Sequence, residues 1–95
     1  MDNAFAIASF RSRQQVMSFE GRLRRAGIRA EVVSTPREIA VGCGLSVRFA
    51  LADLNRVREL CRASEPQNMI GIYRAERVEG SIKPRFMPVV GARGY

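Results

Sequence analysis

Residues 7–33 read IASFRSRQQVMSFEGRLRRAGIRAEVV, and this stretch decides the fold. The apolar run Asn3 to Phe10, with Phe5, Ile7 and Phe10, predicts a buried strand. Ser12 then offers a helix cap. Val16, Phe19, Leu23 and Ala26 recur at helical spacing, and Gly27 stands where a left-handed C′ residue ends the helix. Gly21 inside that helix costs about 1 kcal/mol relative to alanine. Ile28 to Val33 alternates as a second strand, so the stretch is a strand–helix–strand unit.

Working outward, Thr35-Pro36-Arg37-Glu38 is a compact helix-start signal. Thr35 can cap, Pro36 suits the first helical position and Glu38 lies at the capping-box position. Gly42 keeps the turn it opens brief. Leu45, Val47 and Phe49 alternate with Ser46, Arg48 and Ala50, which predicts a half-buried strand. Asp53 is placed to cap a second helix whose Leu54, Val57, Leu60 and Cys61 share one face. Pro66 lies beyond its end, and Met69 to Tyr73 predicts a last strand. Strand, helix, strand, strand, helix, strand closes most naturally as an α+β ferredoxin-like βαββαβ fold, a four-stranded antiparallel sheet with two helices on one face. That assigns residues 1–79 to a single α+β domain. Pro84, Pro88, Gly91 and Gly94 break any regular pattern, so residues 80–95 read as an extended or disordered tail. Its Phe86, Met87, Val89 and Val90 can dock on a partner or on the sheet face that the helices leave open.

The 95 residues fill one domain, with 46% apolar and 26% charged residues, the balance of a globular chain. No histidine is present, which removes imidazole acid–base chemistry, His-activated nucleophiles and His metal ligands. Two cysteines cannot complete a four-ligand structural zinc site. No run approaches the ~20 apolar residues of a transmembrane helix, and MDNAFAIASF is too short and acidic for a signal peptide. Together these features favour a reducing, cytoplasmic setting, with no metal and no membrane partner.

The net charge is +7, carried by 15 arginines and one lysine. Arg22, Arg24, Arg25 and Arg29 form a basic cluster near the end of the first helix. Arginine forks can grip phosphate or carboxylate, although an Arg-rich, Lys-poor chain also arises from composition alone. No aromatic residue interrupts the stretch between Phe19 and Phe49, unlike the interleaving usual in nucleic-acid binders.

The two cysteines differ. Cys61 continues the apolar face of the second helix and reads as a core residue. Cys43 stands in Gly42-Cys43-Gly44, where flanking glycines leave a sulfur unshielded and let a partner's backbone approach. The predicted topology puts this connection at the same sheet end as Arg11, Ser12 and the positive start of the first helix, with Arg37 and Arg48 near in sequence. Cations and a helix N-terminus stabilise a thiolate or persulfide. On the residues alone, a reactive thiol and a turn that merely needs its glycines stand level.

The segments IASFRSRQQVMSFEGRLRRAGI, TPREIAVGCGLSVRF and MIGIYR together resemble the putative Se/S carrier protein-like family of small bacterial and archaeal proteins. The resemblance spans about residues 4–76: a strand ending in an aromatic, a helix closing on A-G-I, a P-R-E-I segment, then C-G and an apolar strand. It implies a selenium or sulfur carrier in which Cys43 matches the family's C-G cysteine, and Cys61 matches none of its motifs. The expectation is a non-enzymatic carrier that holds sulfane sulfur or selenium on Cys43, as a covalent persulfide or selenium adduct, with no bound cofactor. Arg11, Ser12, Arg37 and Arg48 would hold the anion, and Arg22, Arg24 and Arg25 would dock donor and acceptor proteins. The alternatives are an accessory subunit of a larger enzyme complex and a small basic nucleic-acid binder. An open sheet face and an apolar tail also permit a homo-oligomer.

Overall fold

A computed structural model describes residues 4–39, 44–64 and 69–89. The predicted strand–helix–strand unit is present as β1 (Phe5–Phe10), α1 (Arg13–Arg25) and β2 (Ala30–Ser34). The caps that delimit α1 are the predicted ones. Ser12 is extended and its Oγ accepts from the Gln15 amide at 3.3 Å. At the other end Gly27 has φ +82°, Gly27 N–H donates to the Arg24 carbonyl and Ile28 N–H to the Leu23 carbonyl at 2.9 Å. This is a Schellman closure, which needs a residue tolerant of left-handed backbone at Gly27. The Arg56 guanidinium adds a bond at 2.7 Å to the Ala26 carbonyl, tying the second helix to the end of the first.

The remaining elements are β3 (Leu45–Ala50), α2 (Leu54–Ser64), β4 (Met69–Glu76) and β5 (Arg85–Pro88). A short 3₁₀ turn, Leu51–Asp53, leads straight into α2. Asp53 therefore ends that turn, and its carboxylate pairs with Arg56 at 3.5 Å. The 36–39 segment is a single turn closed by Ile39 N–H on the Pro36 carbonyl at 3.0 Å.

The sheet is wholly antiparallel with order β2-β3-β1-β4-β5. Among the described residues it has five strands, not the four expected. The extra strand lies in the segment read as a tail, where Phe86 pairs with Ala75 and Met87 with Arg74. Pro84 and Pro88 do not prevent this, because β5 is an edge strand with one side free of ladder bonds, and prolines are tolerated there. The segment thus docks on the sheet edge beside β4. Phe86 also reaches the helix-free face, where its ring meets Phe5 edge-on with centroids 6.1 Å apart.

Both helices cover one face. Val16, Phe19 and Leu23 of α1 and Val57 and Cys61 of α2 share one core with Ala6, Ala8, Phe10, Val47, Phe49 and Ile72. Alternation along the strands sends Phe5, Ile7, Ser9, Ser46, Arg48 and Tyr73 to the opposite face. Among the described residues no helix is long and apolar enough to cross a membrane.

Candidate functional site

Gly42 and Cys43 lie outside the described residues, so the site is built from what flanks them. At the base of the β2–β3 connection Thr35 N–H donates to the Gly44 carbonyl at 3.1 Å. Gly44 has φ +138°, a conformation that side-chain-bearing residues rarely adopt. A Cβ built on it would stand 3.4 Å from Thr35 Oγ1 and 3.5 Å from the Phe10 carbonyl. Gly44 therefore abuts the end of β1, next in sequence to Arg11 and Ser12. Cys43 immediately precedes Gly44 in the sequence.

The start of α1 faces the same sheet end. Ser12 Oγ is engaged in capping, and the Ser12 carbonyl takes Val16 N–H at 3.1 Å. The Arg13 and Gln14 amides precede the first helical bonds and remain unbonded among the described residues. The first turn of α1 holds no acidic residue. Arg11, Arg13 and Arg37 are exposed and form no ion pair among the described residues, and Glu38 in the 37–39 turn is the acid nearest to Arg37 in sequence. The start of α1 thus presents free amides flanked in sequence by the exposed Arg11 and Arg13, groups that favour an anion.

The other predicted anion-binding residues do not join it. Arg48 points to the helix-free face, where its guanidinium lies 4.4 Å from the Phe5 ring centroid and pairs with Glu31 at 3.7 Å. Arg22, Arg24 and Arg25 occupy the last turn of α1, roughly 14–18 Å along the helix from its start. Arg24 pairs there with Glu20 at 3.3 Å, and Arg22 Nη1 is buried without a partner among the described residues.

Three hydroxyl residues that the sequence reading did not bring together meet beside Gly44. Ser9 and Ser46 are register partners, both 0% exposed, with their hydroxyls 2.8 Å apart. Thr35 Oγ1 lies 2.7 Å from Ser46 Oγ. Ser46 had been expected on a solvent-facing side of β3. Ser9 and Ser46 are 37 positions apart, and nothing local in the sequence marks the pairing.

Cys61 is the buried core residue expected, with 0% exposure. Burial pushes its pKa up from 9.0 to about 11, opposed by a smaller downward pull from the Arg22 guanidinium. At neutral pH it is a neutral thiol, and the thiolate is the nucleophile. Iodoacetamide at pH 8 should accordingly leave Cys61 unlabelled in the folded protein and label it in denaturant, as read by peptide mass spectrometry. Ready labelling in the folded state would contradict its burial.

A separate open groove runs beneath the β4–β5 connection, lined by Ala4, Phe5 and residues 75–84. It lies at the opposite end of β1 from Gly44 and holds no thiol.

A model of the Putative Se/S carrier protein-like family matches residues 5–74, from the first residue of β1 into β4. The chain belongs to that family. No curated protein and no solved structure matches the chain. The family match spans Cys43 and Cys61 and stops short of β5.

The conformation of Gly44 makes it the position most sensitive to a small change in this family member's corner. Gly44→Ala should cost about 1–3 kcal/mol through backbone strain, since its Cβ would find ordinary contact distances. For a domain of this size each kcal/mol lowers Tm by about 4–8 °C, which a thermal melt resolves. A Tm equal to that of the wild type would show that the left-handed backbone is not required.

Proposed function

We propose that this protein is a small cytoplasmic carrier that accepts a sulfane sulfur or selenium atom on Cys43 and hands it to a partner enzyme. Its scaffold is read as ferredoxin-like, extended by the edge strand β5. One observation carries the choice of thiol. The chain has two cysteines, and Cys61 is sealed in the core as a neutral thiol, which leaves Cys43 for any chemistry at sulfur.

The loading step balances without an external oxidant. The Cys43 thiolate attacks the terminal sulfur of a donor persulfide, a new S–S bond forms on Cys43, the donor's S–S bond breaks and the donor leaves as its thiolate. Delivery is the same exchange with an acceptor as nucleophile. Arg11, Arg37 and the free amides at the start of α1 supply positive potential for the anion in both states. The arginine-rich surface favours acidic donor and acceptor surfaces. No bound cofactor is needed, and the protein is a stoichiometric carrier, not a turnover enzyme.

Cyanide tests this directly, because it takes sulfane sulfur from a persulfide as thiocyanate and returns the thiolate. Protein loaded from cysteine and a cysteine desulfurase, then freed of donor, should release about one thiocyanate per chain. No thiocyanate would overturn the reading and favour the accessory-subunit alternative.

A further inference from the structure

The two edges of the sheet are built differently. Val89 N–H donates to the Ile72 carbonyl at 2.9 Å, so alternation turns the backbone groups of Arg85 and Met87 toward β4 and those of Phe86 and Pro88 outward. Proline has no N–H, so Pro88 removes a donor from that edge and blunts it against further pairing. On the other edge Thr35 N–H donates to the Gly44 carbonyl, and Thr35 therefore faces β3. Alternation then turns Glu31 and Val33 toward β3 as well, and leaves the N–H and C=O groups of Ala30, Val32 and Ser34 facing out. These outward groups have no backbone partner among the described residues. β2 carries no proline, no lysine and no break in its register with β3. Its one charged side chain, Glu31, is paired with Arg48 at 3.7 Å. The β2 edge is thus open where the β5 edge is closed.

Charge selects what covers it. Arg29 stands directly before β2 and Arg37 shortly after it; both are exposed, and neither forms an ion pair among the described residues. A second copy pairing antiparallel through its own β2 would set Arg29 of each chain toward Arg37 of the other, in a protein that already carries +7. Like charges at both ends disfavour that dimer. An extended segment with acidic residues meets opposite charge at both ends, and its backbone satisfies Ala30, Val32 and Ser34. We propose that the outer edge of β2 is a docking edge for an extended, acidic segment of a partner protein, which adds to the sheet as a further strand. The proposal goes beyond the carrier reading and does not depend on it, because it concerns backbone groups and arginines whatever the partner receives.

The probe is a fluorescein-labelled peptide of alternating valine and glutamate, titrated by fluorescence anisotropy at low salt. Hydrogen exchange of the complex is read by peptide mass spectrometry, and thermal melts confirm that each variant is folded. Saturable binding is expected, with slowed amide exchange in residues 30–34. Ser34→Pro gives β2 the feature that Pro88 gives β5: it deletes an outward amide, spares the bonds to β3, and should weaken binding about three- to tenfold. Arg29→Glu combined with Arg37→Glu leaves the strand untouched and should weaken binding about three- to tenfold. The same peptide with lysine in place of glutamate should not bind. No binding of the acidic peptide, protection confined to the helices, or an affinity unmoved in folded Ser34→Pro would overturn the assignment, as would equal binding of the lysine peptide. A dimer in sedimentation that Ser34→Pro dissolves would put a second copy on this edge and overturn it too.

Discussion

Phe19→Ala is expected to lower the unfolding free energy by about 3–5 kcal/mol, a large part of the roughly 5–15 kcal/mol available to a domain of this kind. Phe19 is 2% exposed at the centre of the buried face of α1. Its ring lies 5.1 Å from that of Phe10, tilted by 52°, so the pair joins α1 to the end of β1. Removing one ring forfeits the transfer free energy of its carbons, leaves a cavity between helix and sheet, and loses about 0.5–1.5 kcal/mol of aromatic pairing included in that total. Because Phe10 immediately precedes Arg11 and Ser12, loosening here also loosens the corner against which Gly44 packs. Met17→Ala, two positions away and 46% exposed, should change stability by less than about 0.5 kcal/mol. Urea unfolding compares the two; equal midpoints would mean that Phe19 does not anchor the helix.

The parts of this molecule that were legible from sequence are those specified by neighbours in the chain. Ser12 and Gly27 mark the ends of α1 within a residue, because capping is a backbone matter settled over a few positions. Alternation in Leu45–Phe49 and the apolar face of α2 gave β3 and the buried Cys61 for the same reason. β5 was not legible. Pro84 and Pro88 argue against a strand in isolation, and only the free edge of β4, a tertiary feature, makes one acceptable there. β4 itself runs on from the predicted Tyr73 to Glu76, since β5 pairs with those last residues.

The site divides in the same way. The sequence placed Gly44 and the start of α1 at one sheet end from topology, and the contact of Gly44 with the Phe10 carbonyl is a structural fact. Alternation already put Arg48 opposite Leu45, Val47 and Phe49, but its contact with Phe5 was not legible, because it exists only once β1 lies beside β3. Nor was the hydroxyl row, which exists only once β1 and β3 are in register and the end of β2 lies beside them.

Cys43→Ser is expected to abolish sulfur loading, and Cys61→Ala to leave it intact at some cost in stability. The asymmetry follows from environment. Cys61 has no exposed surface, and its pKa of about 11 leaves it protonated at neutral pH, so it neither meets a donor persulfide nor attacks one. Replacing it by alanine removes a small buried group from between α2 and the sheet, which weakens the core and leaves the corner at Gly44 in place. Cys43 immediately precedes Gly44 in the sequence, and on the carrier reading it is the thiol left to take up sulfur. A serine hydroxyl there preserves size and removes the sulfur that the carrier reading requires. The deciding measurement is intact mass spectrometry under non-reducing conditions on wild type, Cys43→Ser and Cys61→Ala after incubation with cysteine and a cysteine desulfurase. The account predicts one added sulfur on wild type and Cys61→Ala and none on Cys43→Ser; an adduct that survives Cys43→Ser, or none on any of the three, would contradict it.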